Sequence, residues 1–220
     1  MKIEHIQKNY GKKVVLRDIT LSAEKGSCIG ILGGNGSGKS TLLNILAGVL
    51  RTDGGSFSYD GHDLLRDTAF RTKHVGFVPQ STPLMEELSA RDNLRLWYEK
   101  EEMEASLSDG VLAMLGIGDF LKVRVEKMSG GMKKRLAIGC AVAHNPDVLL
   151  LDEPSAALDL VCKERIATYL KSFKEEGGII LLATHDVQEL PLCDALYILK
   201  NGRLAPYVFD GDVHRLVGKL

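Results

Sequence analysis

The residues best suited to chemistry in this sequence form a glycine-rich stretch, Gly33-Gly34-Asn35-Gly36-Ser37-Gly38-Lys39-Ser40, which fits the pattern G-x-x-x-x-G-K-[ST]. Glycines allow backbone N–H groups to point inward at an anion, in a conformation that is closed to bulky residues. Lys39 can reach the β- and γ-phosphates of a nucleotide, and the Ser40 hydroxyl can ligate Mg²⁺. The pattern therefore predicts a loop that binds the phosphates of a nucleoside triphosphate.

The segments on either side of this loop support the same prediction. The apolar run 28–32 before it predicts a buried strand, and residues 41–47, which begin with Thr41, predict a helix. Such a helix presents its free N–H groups and the positive end of its dipole to bound phosphates. A chance match in a chain with 23 glycines is the alternative, and the strand–loop–helix context disfavours it.

Two acidic residues, Asp152 and Glu153, directly follow the apolar run 148–151. Strand ends in α/β sheets open into the ligand crevice, so both acids are expected to face the phosphates. We expect Asp152 to hold Mg²⁺, directly or through water, and Glu153 to act as the base that positions the attacking water. In isolation, the pair could simply cap a strand before a turn at Pro154.

Two further polar residues also follow apolar runs. Gln80 comes shortly after the run 74–78 and could ligate Mg²⁺ or the attacking water. His185 closes the run 179–183 and could contact a γ-phosphate through its imidazole ring. Taken alone, Gln80 is an ordinary loop amide, and His185 would more often face solvent or be satisfied within the core.

Several motifs occur in one order along the chain, and together they resemble the ATP-binding-cassette ATPases. These motifs are Tyr10, the loop 33–40, Gln80, Met128-Ser129-Gly130-Gly131-Met132, Leu149-Leu150-Leu151-Asp152-Glu153-Pro154, Asp159 and His185. The resemblance covers about residues 1–205. The phosphate loop is shared by many families, whereas Ser-Gly-Gly upstream of a Leu-Leu-Leu-Asp-Glu-Pro strand is specific to this one.

The resemblance implies a role for three residues around one nucleotide. Tyr10 would stack on adenine, although it could also be a turn tyrosine that covers the sheet. Gln80 would lie in the loop that links the catalytic site to a membrane partner. His185 would be the switch histidine that acts in catalysis beside Glu153 and Gln80.

The resemblance also implies a second, incomplete site. Ser129, Gly130 and Gly131 would form the signature motif, which caps the γ-phosphate of ATP held by the opposite subunit, and Asp159 would communicate across the dimer. A hydroxyl and glycine N–H groups at a helix N-terminus can form an anion cradle, although Ser129 and Asp159 could equally be ordinary N-caps. The chain departs from the common pattern at Met132, where glutamine is usual, and at Gly34, where proline is frequent.

These motifs require a scaffold of alternating strands and helices. We predict an α/β fold: a P-loop NTPase body with a mixed, largely parallel β-sheet, an N-terminal antiparallel β-subdomain and an inserted α-helical subdomain. The whole chain, 1–220, would be a single ABC ATPase domain, with the helical subdomain at about 85–145. Within it, the spacing of Leu94, Trp97 and Tyr98 predicts that all three share one helix face.

Composition narrows the function classes. The formal net charge is −1, so nothing indicates a nucleic-acid partner, which would normally need a basic patch. No apolar run is long enough to cross a bilayer, and the N-terminus lacks a signal-peptide core. The four cysteines are scattered with no C-x-x-C pair, a pattern that favours neither a zinc site nor a disulfide. We expect a cytoplasmic protein, peripheral on the inner face of the cell membrane.

The resemblance as a whole implies an ATP- and Mg²⁺-dependent motor subunit. ATP would join two copies into a homodimer, and a separate integral membrane protein, docked near Gln80 and residues 81–98, would convert closure into transport. Met132 followed by Lys133-Lys134-Arg135 is similar to bacterial exporter subunits. An ATPase without a membrane partner, such as one in iron–sulfur assembly, and a non-hydrolytic regulator are the alternatives. The transported substance is not encoded here, because cassette sites touch ATP rather than cargo.

Overall fold

A single ten-stranded sheet forms the centre of the protein. The computed structural model describes all 220 residues. The strands are β1 (Lys2–Tyr10), β2 (Lys13–Ser22), β3 (Cys28–Leu32), β4 (Gly54–Tyr59), β5 (His62–Asp63), β6 (Val75–Val78), β7 (Val148–Asp152), β8 (Ile179–Ala183), β9 (Ala195–Lys200) and β10 (Arg203–Tyr207). The helices are α1 (Lys39–Leu46), α2 (Thr68–His74), α3 (Ala90–Leu94), α4 (Lys100–Asp109), α5 (Val111–Met114), α6 (Gly130–Ala141), α7 (Leu160–Glu175) and α8 (Val213–Lys219).

The sheet has a parallel part and an antiparallel part, in the order β5-β4-β1-β2-β10-β9-β3-β8-β7-β6. Strands β9, β3, β8, β7 and β6 run parallel, whereas β1, β2, β4 and β5 pair antiparallel. Strand β10 joins the two parts through the pair Arg203 and Asp18. The predicted α/β fold, with its N-terminal antiparallel strands and parallel body, is therefore confirmed.

The central strands are apolar at every position because both of their faces are covered. Along β7, Val148 and Leu150 belong to a core of 22 buried residues that includes α1 and the N-terminal strands. Leu149 and Leu151 point the other way, into a core of 24 buried residues that includes the helical region. The strand ends of β7 and β8 are consequently fixed from both sides, which makes them a rigid platform for polar side chains.

Helices α3 to α6 lie between β6 and β7 along the chain, within the predicted helical subdomain. Leu94 and Tyr98 are buried there, but Trp97 is 62% exposed, so the prediction that the three share one helix face is wrong. The reason is that α3 ends at Leu94 and the chain continues in a tight turn, which directs the indole outward. None of the helices combines the length and the apolar character needed to cross a bilayer.

Candidate functional site

The glycine-rich loop joins the end of β3 to the start of α1, as the sequence predicts. Gly38 has φ 110°, a left-handed conformation that strongly favours glycine, and it directly precedes the first turn of α1. A side chain at Gly33 would lie 2.6 Å from the Ser37 hydroxyl oxygen and 2.7 Å from the Leu199 carbonyl oxygen. A side chain is therefore excluded at Gly33 by neighbouring atoms and disfavoured at Gly38 by its backbone conformation. Glycine at both positions lets the loop fold tightly.

The ammonium group of Lys39 is folded back into the loop. Its Nζ donates to the carbonyl oxygen of Gly33 at 2.7 Å and to that of Gly34 at 3.4 Å, and the residue is only 5% exposed. Burial lowers the pKa of Lys39, while the nearby carboxylates of Glu153 and Asp152 oppose that shift. A buried cation held only by carbonyl oxygens is well placed to exchange them for a more strongly charged ligand.

The hydroxyl group of Ser37 is buried and has no hydrogen-bond partner. Buried polar atoms without a partner are uncommon in native proteins, and they often mark a place where a ligand or water binds. Ser37 lies in the loop that leads to the N-terminus of α1, where free backbone N–H groups also face the cleft. The loop therefore fits an anion with several acceptor oxygens, such as a phosphate chain.

Asp152 ends β7 and is 2% exposed. Burial raises the pKa of its carboxyl group, while the Ser40 hydroxyl and the Lys39 and Lys134 cations lower it less strongly. An ionised carboxylate in this position is short of positive charge, and it lies beside Ser40, whose hydroxyl is a second oxygen donor. Carboxylate and hydroxyl oxygens are ligands that Mg²⁺ prefers, so the two residues fit that ion.

Glu153 follows Asp152 but has a left-handed backbone, with φ 50°. Its N–H donates to the carbonyl oxygen of Ala183 at the end of β8, at 2.9 Å, which holds that conformation in place. The carboxylate accepts from Gln80 Nε2 at 3.1 Å and lies 2.9 Å from His185 Nδ1. The structure thus brings together the three residues that the sequence assigns to catalysis.

Loop residues 35–40, Gln80 and Glu153 line an open cleft of about 640 Å³, a volume typical of small-molecule sites, whereas Asp152 and His185 do not line it. Its lining consists of Tyr10, Lys13, Val15, Asn35, Gly36, Ser37, Gly38, Lys39, Ser40, Thr41, Gln80 and Glu153. Tyr10 is half-exposed at the end of β1, and the Lys8 ammonium group lies over its ring, 5.7 Å from the centroid. Lys13 and Val15 also line the cleft and were not predicted, although they lie two residues apart at the start of β2 and so point to the same face of the sheet.

The signature residues Ser129, Gly130 and Gly131 do not line this cleft. Ser129 is exposed and caps α6, where its hydroxyl oxygen accepts from the Met132 N–H at 3.3 Å. Asp159 caps α7 in the same way, through the Cys162 N–H at 2.9 Å. Within one chain, both residues therefore act as helix N-caps.

The two signature glycines have different surroundings. A side chain at Gly131 would lie 2.5 Å from the Cys162 sulfur, so packing against α7 excludes one. At Gly130 the nearest atom would be 3.9 Å away, on Leu158. Nothing in the packing of this chain requires glycine at 130, so the start of α6 presents an uncovered backbone to the outside.

Comparison with known proteins identifies the family. The family described as "ABC transporter" matches residues 16–156. Linearmycin resistance ATP-binding protein LnrL of Bacillus subtilis (strain 168) is 34% identical over 209 residues, covering 93% of this chain and 67% of that protein. Nod factor export ATP-binding protein I of Burkholderia orbicola (strain AU 1054) is 34% identical over 220 residues, covering 97% and 71%.

Solved structures of ATP-binding cassettes are also similar to this chain. "Structure of ATP binding subunit of ABC transporter" superposes with a TM-score of 0.85 at 28% identity, covering 99% of this chain and 92% of that chain. "Dimeric structure of a post-hydrolysis state of the ATP-binding cassette MJ0796 bound to ADP and Pi" has a TM-score of 0.84 at 28% identity, covering 96% and 99%. These similarities agree with the phosphate loop and the paired acids of the site. The chain therefore belongs to the ABC transporter family, as an ATP-binding subunit that is an ATPase.

Proposed function

We propose that two copies of this chain enclose two ATP molecules head-to-tail, and that hydrolysis drives export through a separate integral membrane protein. In each copy, the loop 33–40 would bind the triphosphate and Tyr10 would stack on adenine. The observation that carries the catalytic part is the position of the Glu153 carboxylate, held between Gln80 and His185 at the rim of the phosphate-binding cleft.

Three residues are assigned to Mg²⁺, namely the hydroxyl of Ser40, the carboxylate of Asp152 and the side-chain amide of Gln80. The ion, when bound, would neutralise charge on the β- and γ-phosphates. Support comes from the position of the Asp152 carboxyl group, which is buried beside the Ser40 hydroxyl, because an ionised carboxylate at a buried position is stabilised by a nearby cation. Lys39 would leave the carbonyl oxygens of Gly33 and Gly34 and donate to the same phosphates.

Glu153 would act as the general base and accept a proton from the attacking water. Its side chain is only 10% exposed, although His185 beside it is 54% exposed. Such shielding keeps the carboxylate in one orientation, which is what a positioned base needs. Gln80 and His185 would hold that orientation and contact the water and the γ-phosphate respectively.

The dimer is proposed because Ser129, Gly130 and Gly131, to which we assign the second half of a phosphate site, do not line the cleft. Ser129 and Gly130 are exposed at the start of α6, and no contact within this chain explains a glycine at 130. A triphosphate held by a second copy would approach the bare backbone there, at the positive end of the helix. The dimeric state of the similar cassette MJ0796 supports this arrangement.

Replacing Glu153 with glutamine tests the catalytic assignment, because the amide keeps the shape but cannot accept a proton. We expect ATP binding to persist, phosphate release to fall by about 10²–10⁴-fold, and an ATP-bound dimer to accumulate. Phosphate release and light scattering after size-exclusion chromatography measure these effects. Glu175→Gln, at an exposed position near the end of α7, is the matched control. Wild-type turnover in Glu153→Gln would remove Glu153 from its role.

Two observations support export through a membrane partner: the names of the relatives, and a group of exposed apolar side chains on this chain. The relatives are named for linearmycin resistance, Nod factor export and, in Streptococcus pyogenes, lantibiotic transport. Met85, Leu96 and Trp97, hereafter the apolar patch, are each more than half exposed. The buried Asn93 side chain ties the Met85 backbone to α3, because its Oδ1 accepts from the Met85 N–H and its Nδ2 donates to the Met85 carbonyl.

The cytoplasmic, membrane-peripheral location belongs to the same proposal. Purification of the tagged chain from detergent-solubilised membranes of its own host is the direct test. An integral membrane protein that co-purifies in stoichiometric amount is the expected result. A soluble scaffold complex in its place would instead favour the iron–sulfur assembly alternative.

A further inference from the structure

Lys134 is a buried lysine on α6, five residues after Ser129, and it is only 6% exposed. Its Nζ donates to two consecutive carbonyl oxygens, those of Pro79 and Gln80, at 3.1 Å each. No carboxylate forms an ion pair with it. A buried ammonium group is costly to maintain, so its contacts are expected to serve a purpose that an apolar residue could not.

The two carbonyl oxygens belong to the segment just after β6 that carries Gln80. The Gln80 side chain in turn donates to Glu153 at 3.1 Å. A series of contacts therefore runs from α6, whose N-cap is Ser129, through Lys134 and the backbone of Gln80, to the Glu153 carboxylate. At 1.5 Å per residue, Lys134 lies only about 7–8 Å along the helix axis from Ser129.

We infer that Lys134 is a positioning residue: it holds the Gln80 segment against α6 and thereby couples the position of α6 to the orientation of the Glu153 carboxylate. The inference rests on the proposed role of Glu153 as base. Movement of α6 when Ser129 meets the partner's ATP would pass through Lys134 to the Gln80–Glu153 contact.

The surroundings of Lys134 explain how a charged group is kept at this buried position. Burial lowers the pKa of Lys134, while the nearby acids Asp152, Glu153 and Glu189 oppose that shift. The two carbonyl oxygens add direct acceptors for the ammonium N–H groups. A hydrogen bond from a charged donor is stronger than a neutral one, and two such bonds at 3.1 Å link α6 to the Gln80 segment.

Lys134→Met keeps the length and packing of the side chain but removes the donors and the charge. We expect kcat for ATP hydrolysis to fall at least tenfold and KM for ATP to change less than threefold, because the phosphate loop is not touched. Lys134→Arg, which retains charge and donors, should restore a large part of kcat. Lys133→Met is the matched control, because the Lys133 side chain contacts only exposed Glu86, at 3.4 Å.

A double-mutant cycle with Gln80→Ala separates positioning from a general structural effect. If Lys134 acts through Gln80, Lys134→Met should lower kcat less than threefold further once the Gln80 side chain is gone. An equal loss of kcat with and without that side chain would overturn the inference, because the effect would then pass by another route. Wild-type kcat in Lys134→Met, or the same loss in Lys133→Met, would overturn it as well.

Lys134→Gln, which keeps a donor without the charge, takes the place of the methionine variant in the cycle if that variant does not fold. The same two outcomes then decide the inference. Glu153→Gln, assayed in parallel, separates the two ideas, since normal turnover in that variant rejects the role of Glu153 itself.

Discussion

At the scale of single residues, the left-handed backbone of Glu153 separates the tasks of two adjacent acids. A non-glycine residue with φ 50° carries a conformational cost of about 1–3 kcal/mol. The hydrogen bond from its N–H to Ala183 holds it there. Asp152 consequently stays within the sheet edge beside Ser40, while the Glu153 carboxylate reaches Gln80 and His185. Regular strand geometry would instead have directed the second acid to the opposite face of the sheet.

The buried Asp152 carboxyl group makes the ligand-free protein sensitive to pH. Because burial raises its pKa, the folded state holds the proton more tightly than the unfolded chain does. Its contribution to stability is therefore greatest at low pH and is lost as the pH rises from about 3.9, the ordinary value, through the raised pKa. Asp152→Asn should raise Tm at pH 7, a gain that disappears toward pH 4.

Thermal melts across pH, with and without Mg²⁺ and ATP, measure this effect. Addition of both ligands should stabilise the wild type more than the variant, because the carboxylate then has a cation to bind. Asp109→Asn, at an exposed position at the end of α4, should leave Tm unchanged. A lower Tm for ligand-free Asp152→Asn at pH 7 would contradict the argument.

Residue types and their neighbours in sequence were enough to predict the phosphate loop and the two acids. Glycine spacing and an acid pair after an apolar run are local signals, so no knowledge of the tertiary structure is needed to read them. Lys134 is different: nothing in Lys133-Lys134-Arg135 distinguishes its second member. Its contacts depend on how α6 lies against the end of β6, which only the folded molecule determines.

At the scale of elements, the start of α6 separates a glycine that packing requires from one that it does not. Gly131→Ala would place a methyl group 2.5 Å from the Cys162 sulfur, and overpacking of this kind costs about 1–3 kcal/mol. Gly130→Ala meets nothing closer than 3.9 Å. We expect Gly131→Ala to lower Tm, and Gly130→Ala to keep Tm but to lose ATP-dependent dimerisation and turnover.

A second substitution checks the packing part of this prediction. Cys162→Ala removes the sulfur atom and should recover most of the stability lost in Gly131→Ala, while doing nothing for the activity of Gly130→Ala. Differential scanning fluorimetry and phosphate release are the measurements. If Gly130→Ala retained full activity, the partner's ATP could not approach the backbone closely at this point.

Periodicity predicted the elements well where burial is two-sided and less well where a helix ends. The runs 28–32, 148–151 and 179–183 became central strands because both of their faces lie against a core. The spacing of Trp97 from Leu94 predicted a shared helix face, but α3 stops at Leu94. Helix spacing carries no information beyond the last helical turn, so the side chain that follows it is free to face outward.

At the scale of the whole molecule, the apolar patch lies outside both the cleft and the signature residues. Exposed apolar side chains that lie near one another commonly mark a binding site for another protein. Met85→Glu combined with Leu96→Glu should leave the ATPase activity of the isolated subunit within about twofold of wild type, because neither side chain lines the cleft. The same variant should lose most of its recovery with the membrane fraction.

Quantitative immunoblotting of membrane and soluble fractions measures this loss. Val49→Glu, an exposed apolar position just beyond α1, serves as the control for a general effect of added charge. Full membrane recovery of the double variant would exclude the apolar patch as the docking surface and would direct attention to another face of the subunit.

Trp97 gives the chain a built-in optical probe, since it is the only tryptophan in the sequence and its indole ring faces water. Intrinsic fluorescence excited selectively at tryptophan therefore reports on a single point of the surface. Transfer of that ring from water into an apolar interface would shift its emission to the blue and shield it from iodide quenching. The unlabelled wild-type subunit can thus be titrated directly against a reconstituted membrane protein, and each emission spectrum reads the occupancy of one location.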